Sequence, residues 1–191
     1  MSLTSVAILV VLFLLAAYAV TLYNALVRLK HGVSKAWSNI DVLLRQRHEE
    51  LPKLVETCKQ YMQYEQNTLE RVISARAAVA SARERADVGA LGKAESGLRQ
   101  GLGQLFALAE NYPELRASES FRHLQQRISG LENGIADRRE LYNEAVNLNN
   151  VRIEQFPDLL IARAAGFKSA ELLMFSEADR ADADLKSLFG Q

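Results

Sequence analysis

The 191-residue chain has little of several residue types, and each shortage excludes a class of protein. Its single cysteine excludes a disulfide framework and a cysteine-rich zinc module. Three prolines and ten glycines are few for a chain of strands and tight turns. The 23 basic and 23 acidic side chains cancel, which excludes a globally basic nucleic-acid-binding protein and a protein whose overall charge is dominated by an acidic tail. The composition therefore predicts helices.

Charge is absent from the first part of the chain, because no charged side chain precedes Arg28. The uncharged stretch runs from Leu3 through Val27, and about 20 apolar residues at 1.5 Å each cross the ~30 Å hydrocarbon core of a bilayer. Tyr18 and Tyr23 lie near one end, where aromatic rings favour the lipid–water boundary. We therefore predict a transmembrane anchor over residues 1–27.

Two other interpretations of this segment remain open. A buried core helix has the same composition, although this length without charge is unusual for one. A cleaved signal peptide would fit Ala17-Tyr18-Ala19, but the segment lacks a basic n-region and exceeds the usual ~7–15 apolar residues. The basic residues Arg28, Lys30 and Lys35 follow the anchor, so the positive-inside bias places the N-terminus outside and the C-terminal part in the cytoplasm.

Apolar residues recur at spacings of three and four between Ser34 and about Arg85, which predicts a helix. The stripe stays in phase across Pro52, which favours one helix with a kink there over two unrelated helices. The stripe comprises Ile40, Leu44, Leu51, Leu54, Cys58, Met62, Leu69 and Val72.

A turn is predicted at Asp87-Val88-Gly89, with Asp87 as the N-cap of the next helix. In that helix, Gly97 and Gly101 indicate either close approach of another helix or a poorly packed helix start. Asn111-Tyr112-Pro113 breaks the pattern, and Ser118 or Ser120 is expected to cap the helix that follows.

The last long stripe keeps a spacing close to 3.5 from Phe121 to Phe156, which predicts long helix-on-helix packing of coiled-coil character. Arg138 falls on this seam, and Arg47 falls on the earlier stripe. These charges either pair with glutamates of a neighbouring helix or lay their stems along the core with the heads in water, and we favour the second. Phe156-Pro157 is expected to end the helix, and a short helix over residues 158–167 follows.

We looked for catalytic and metal-binding motifs and assign no catalytic, cofactor-binding or metal-ligating residue. Of the three histidines, none lies three residues after a glutamate, and Glu119 with His123 is a single pair that cannot fill a metal shell. Cys58 lies on the apolar stripe, where a thiol behaves as a small hydrophobic group with a raised pKa. The histidines are His31, His48 and His123.

Several short motifs occur in order between residues 20 and 170. They are Tyr23-Asn24 with Leu26-Val27, then Ala36-Trp37-Ser38-Asn39-Ile40-Asp41-Val42 followed by Arg45 and Arg47, Leu51-Pro52 with Leu54-Val55, Glu110-Asn111-Tyr112-Pro113-Glu114-Leu115, Tyr142-Asn143 with Asn149 or Asn150, Phe156-Pro157, Ala162 and Gly166-Phe167. In these motifs the chain resembles the LemA family. Asn149-Asn150 departs from the Tyr-Asn typical of the family. The resemblance implies a bacterial membrane protein with one N-terminal anchor and an antiparallel helical bundle facing the cytoplasm, without an established enzymatic activity.

We therefore expect an all-α chain with an anchor (1–27), a four-helix, coiled-coil-like bundle (28–170) and an acidic C-terminal tail (171–191), in the bacterial inner membrane. The expected function is a non-enzymatic, self-associating scaffold or adaptor, with the lipid bilayer and a homo-oligomer as partners, and a membrane or cytoplasmic protein as a further partner. The alternative is a membrane-tethered regulator or chaperone-like factor in envelope stress or protein quality control. A metal-dependent enzyme is the third class, and nucleic acid is not an expected partner.

Overall fold

The structure, a computed structural model, describes residues 2–175, and these contain six helices and no strand. The all-α prediction is confirmed. The helices are α1 (Leu3–Lys59), α2 (Gln66–Glu84), α3 (Val88–Ala109), α4 (Pro113–Ala117), α5 (Glu119–Glu154) and α6 (Asp158–Ala164).

Helix α1 joins the apolar segment to the first helix of the body without a break. Pro52 lies inside it, so the two halves of the stripe belong to one helix, as predicted. The helix ends at Lys59, however, and the prediction of a continuous helix to about Arg85 is wrong. Between α1 and α2, the amides of Tyr61 and Met62 both donate to the carbonyl of Cys58, at 3.0 and 2.8 Å.

The sequence does not predict this turn, because residues 60–65 contain neither proline nor glycine. Met62 is fully buried within the turn, as are Cys58 before it and Val72 after it. The apolar spacing therefore continues in phase across a break in the helix.

The α2–α3 connection confirms the predicted N-cap. An Asp87 carboxylate oxygen accepts a hydrogen bond from the Ala90 amide at 2.8 Å. The tight turn itself falls at Ala86, whose φ is 53°, while Gly89 already lies in α3. Close packing of the two helices is found at Gly101 only, where an added Cβ would lie 3.5 Å from the Val72 side chain, whereas Gly97 has open space.

The later helix boundaries follow the predicted signals closely. Pro113 occupies the first turn of α4, and the Ser118 hydroxyl accepts from the Phe121 amide at 3.4 Å to cap α5. Helix α5 buries most of its predicted seam but leaves Phe156, which follows its end, 79% exposed. The buried residues of the seam are Phe121, Leu124, Ile128, Ile135, Tyr142, Asn149 and Ile153.

The described residues form two compact units, each built partly from α1 and α5. The first unit comprises residues 2–38 and 141–170, and it packs Leu26, Ile153 and Ala162 together. The second unit comprises residues 39–140 and 171–175, and its core holds α2, α3 and α4. Fully buried side chains of the second unit include Leu44, Leu54, Leu91, Leu98, Leu105, Leu115 and Phe121.

In the second unit, residues 171–175 pack on α3. Leu173 is fully buried and Phe175 is 5% exposed. An added Cβ on Gly92 would lie 1.9 Å from the carbonyl oxygen of Met174, so only glycine permits this approach. No local pattern predicts this contact, because a glycine on one helix meets backbone more than 80 residues later. The rest of the predicted acidic tail, residues 176–191, falls outside the described residues.

Candidate functional site

The apolar part of α1 is the largest exposed hydrophobic surface of the first unit. An 18-residue window of this helix has a mean hydropathy of 2.6, and none of that window is buried. Phe13 is 73% exposed, and Ile8 and Leu14 are about 60% exposed. In water such a surface is strongly unfavourable, since each Å² of exposed apolar area costs about 25 cal/mol. The segment is long and apolar enough to cross a membrane and indicates membrane association.

Directly after this segment, α1 becomes covered by the end of α5 and by α6. Leu26 is fully buried against Ile153 and Ala162, and the rings of Tyr23 and Phe167 meet edge to face with centroids 5.8 Å apart. Farther along α1, the ring of Trp37 lies 5.5 Å from that of Tyr142. Leu26 precedes Trp37 by 11 residues on α1, and its partner Ile153 follows Tyr142 by 11 residues on α5. The two helices are therefore antiparallel in the first unit.

Asn149 and Asn150 of α5 hold the segment after α6. The Asn150 side chain donates to the Ala170 carbonyl and accepts from the Ala170 amide, both at 2.9 Å. Asn149 donates to the Lys168 carbonyl at 3.5 Å. Two side-chain amides on a buried seam therefore satisfy backbone groups that an apolar residue would leave unpaired.

A cleft of about 470 Å³ opens between α1 and this segment in the first unit. Lys30, His31 and Lys168 lie along it, and none of its described lining residues is acidic. The cleft therefore favours anionic groups.

The second unit contains a buried ionic triad, in which Arg47 bonds to Glu95 of α3 and to Glu132 of α5. Arg47 and Glu95 are 1% and 2% exposed, and Glu132 is 17% exposed. Our preference for Arg47 laying its head in water is wrong. The paired alternative is confirmed for it, because the two carboxylates compensate the cost of burying the guanidinium. Arg138, by contrast, is exposed.

Burial and charge act in opposition within this triad. Burial alone would lower the pKa of Arg47, but the carboxylates of Glu95 and Glu132 outweigh it and raise that pKa, so Arg47 stays charged. Burial, aided by Glu132, raises the pKa of Glu95, while Arg47 opposes the rise. The triad thus links α1, α3 and α5 through one guanidinium within the second unit.

Two further polar contacts in the second unit use a histidine and a tyrosine. The Arg76 guanidinium donates to the ring Nε2 of His48 at 2.7 Å and to the His48 carbonyl at 3.0 Å, which requires a neutral imidazole. Burial, with Arg76 and Arg83 nearby, lowers the pKa of His48. The Tyr112 hydroxyl donates to Glu65 at 3.3 Å.

The structure assigns no chemistry to the candidate reactive residues. Cys58 is fully buried, and burial raises the pKa of its thiol to about 12, as expected for a structural cysteine. Glu119 and His123 are exposed on α5, and among residues 2–175 no three His, Cys, Asp or Glu side chains form a group able to hold a metal ion.

The described residues therefore define an all-α protein with one candidate membrane span at the start of its longest helix. A model of the LemA family matches residues 36–186, which is most of the chain, so the protein belongs to the LemA family.

The chain is also similar to magnetosome proteins. It is 36% identical over 78 residues to the magnetosome proteins MamQ 2 and MamQ 1 of Paramagnetospirillum magneticum and 32% identical over 78 residues to MamQ of Magnetospirillum gryphiswaldense. Each alignment covers 41% of this chain but only 29% of the relative's length.

Proposed function

We propose that this protein is a non-enzymatic, single-pass membrane protein of the bacterial inner membrane, whose cytoplasmic helical part is a self-associating scaffold or adaptor. The observation that carries the proposal is the exposed apolar surface of α1, which continues directly into the packed helical units. Similarity to magnetosome proteins, which are named for a cell structure and not for a reaction, supports a structural role.

Self-association is supported by an unburied apolar face on α5. Leu141, Leu148 and Val151 are 49%, 53% and 45% exposed and recur at coiled-coil spacing. A cleft of about 500 Å³ beside them is also lined by Ala25 and Leu29 of α1. We propose a second copy of the chain as the occupant of this face, because anchoring confines copies to two dimensions and raises their effective concentration.

Disulfide crosslinking in native membranes tests this proposal. A Leu148→Cys variant places a thiol on the face, and Asn147→Cys places one at the same height about 100° around the helix. We expect Leu148→Cys to form disulfide-linked dimers readily and Asn147→Cys to form few. The wild-type chain, with only the buried Cys58, is the blank.

Orientation is tested with a protease applied to intact spheroplasts, from which the C-terminal part should be protected.

The absence of dimers with Leu148→Cys, together with a strictly monomeric chain after amine crosslinking, would contradict self-association. Recovery of one stoichiometric, unrelated protein instead would favour the membrane-tethered regulator.

A further inference from the structure

The corner between α5 and α6, residues 155–160, carries an exposed apolar pair that the bundle does not use. Phe156 is 79% exposed and Leu160 is 58% exposed. Neighbouring Asp158 is almost fully buried and accepts from the Arg152 guanidinium at 2.8 Å, so its carboxylate is neutralised within the first unit. The corner therefore presents two large apolar side chains to its surroundings.

The register of α1 and α5 places this corner beside the membrane span. On α1 and α5, Trp37 contacts Tyr142 and Leu26 packs with Ile153. Because the helices are antiparallel, Phe156, three residues after Ile153, lies level with Tyr23, three residues before Leu26. About 20 residues cross the hydrocarbon core, so a span that begins at Leu3 ends near Leu22. Phe156 thus lies within about one helical turn of the edge of the hydrocarbon.

The charges around the corner suit an anionic surface. The first unit contains six lysines and arginines against three acidic side chains, although the whole chain is neutral. Arg163 and Lys168 are exposed after the corner, and Arg28 and Lys30 are exposed on α1, five and seven residues after Tyr23. The exposed acid beside them is Glu154. Basic residues around an apolar tip are the pattern by which proteins enter the interface of anionic bilayers.

We propose that the α5–α6 corner inserts Phe156 and Leu160 into the headgroup–acyl boundary of the same bilayer that α1 spans, held by anionic lipid headgroups at the surrounding basic residues. This inference rests on the proposed membrane anchor and adds a second, shallow contact. The contact fixes the tilt and rotation of the first unit on the membrane, which a single membrane-spanning helix leaves free.

Depth-dependent fluorescence quenching tests this contact in the full-length protein. The variants Gln155→Cys, Leu141→Cys and Leu12→Cys carry a nitrobenzoxadiazole label in vesicles of phosphatidylcholine and phosphatidylglycerol. Nitroxide groups lie either high or deep on the lipid chains. Gln155 reports on the corner with both apolar side chains intact, and Leu141 is a matched control about 21 Å farther along α5.

We expect a label at Gln155, placed ~5–10 Å into the interface, to lose about half of its emission to the shallow nitroxide. The label at Leu12 should respond to the deep nitroxide, and the label at Leu141 to neither. Adding Phe156→Asp and Leu160→Asp should abolish quenching at Gln155. Replacing phosphatidylglycerol by phosphatidylcholine should weaken it.

Each contrary result has a distinct meaning. Equal quenching at Gln155 and Leu141, or quenching that survives both Asp substitutions, would overturn the interfacial contact while a response at Leu12 still supports the anchor. A label at Leu12 that responds to neither nitroxide would overturn the anchor and the contact together.

Discussion

Removal of Arg47 is the perturbation whose cost follows most directly from the structure. In an Arg47→Leu variant, Glu95 stays 2% exposed and loses the guanidinium that pairs with it, whereas Glu132 retains Arg99 at 3.5 Å and is partly open to solvent. Removing one partner of a buried ion pair lowers the free energy of unfolding by about 3–5 kcal/mol, and here most of that loss comes from the buried, unpaired carboxylate of Glu95. For a chain of this size, that lowers the melting temperature by roughly 6–20 °C.

The matched variant is Arg47→Leu with Glu95→Leu. It removes the stranded charge, so we expect it to be less destabilised than Arg47→Leu alone, with a coupling energy of about 2–3 kcal/mol. Urea unfolding of the full-length protein in detergent, followed by helical circular dichroism, measures both. Additive effects of the two single substitutions, or an Arg47→Leu variant as stable as the wild type, would refute the proposed role of the triad.

A pH titration gives this experiment an independent signature. Burial raises the pKa of Glu95 above its ordinary 4.5 in the folded chain, and loss of Arg47 removes the main opposing charge. A carboxyl whose folded pKa is raised keeps its proton in the folded chain after the unfolded chain has lost it, so the penalty grows as the pH rises above 4.5 and is complete once the pH exceeds the folded pKa. The destabilisation by Arg47→Leu should therefore shrink as the pH falls toward 4.5 and below.

Three further predictions concern the second unit. Gly92→Ala should displace residues 171–175, expose Leu173 and lower the free energy of unfolding by about 2–3 kcal/mol. Gly97 faces open space, so Gly97→Ala should instead raise the free energy of unfolding by about 0.5–1 kcal/mol. Limited proteolysis and urea unfolding measure both variants, and equal effects would contradict the close approach of Gly92 to Met174. Because the pKa of His48 is lowered in the folded chain, the free energy of unfolding should fall as the pH drops below 6.5, and His48→Gln should remove this loss. A wild-type chain whose stability does not depend on pH in this range would contradict the prediction. Cys58 should resist iodoacetamide at pH 8 until urea unfolds the chain, and rapid labelling of the native protein would contradict its burial.

The sequence was informative wherever one local signal determines one local structure. Asp87 and Ser118 mark helix starts by their capping chemistry, and the structure has a helix start at each. The break predicted at Asn111-Tyr112-Pro113 falls between α3 and α4. The uncharged segment before Arg28 likewise predicted one long apolar helix, because membrane-spanning length and composition can be counted along the chain.

The sequence was uninformative where a contact joins distant residues. The turn at residues 60–65 was hidden because buried Met62 kept the apolar period in phase. The partners of Arg47 lie 48 and 85 residues away, and spacing along one helix does not reveal which glutamate of another helix faces it. The contact of Gly92 with Met174 has the same origin, because it depends on backbone packing.

Alkaline carbonate extraction of isolated membranes tests the claim that the apolar part of α1 holds the protein in a lipid bilayer. We expect the intact, unprocessed chain to remain in the membrane pellet and to enter solution only with detergent. A matched variant with Leu9→Arg, Phe13→Arg and Ala16→Arg should be released by carbonate, since each charge opposes insertion by roughly 2.5–3.5 kcal/mol near the helix centre. Recovery of the intact wild-type chain in the carbonate supernatant would contradict the claim.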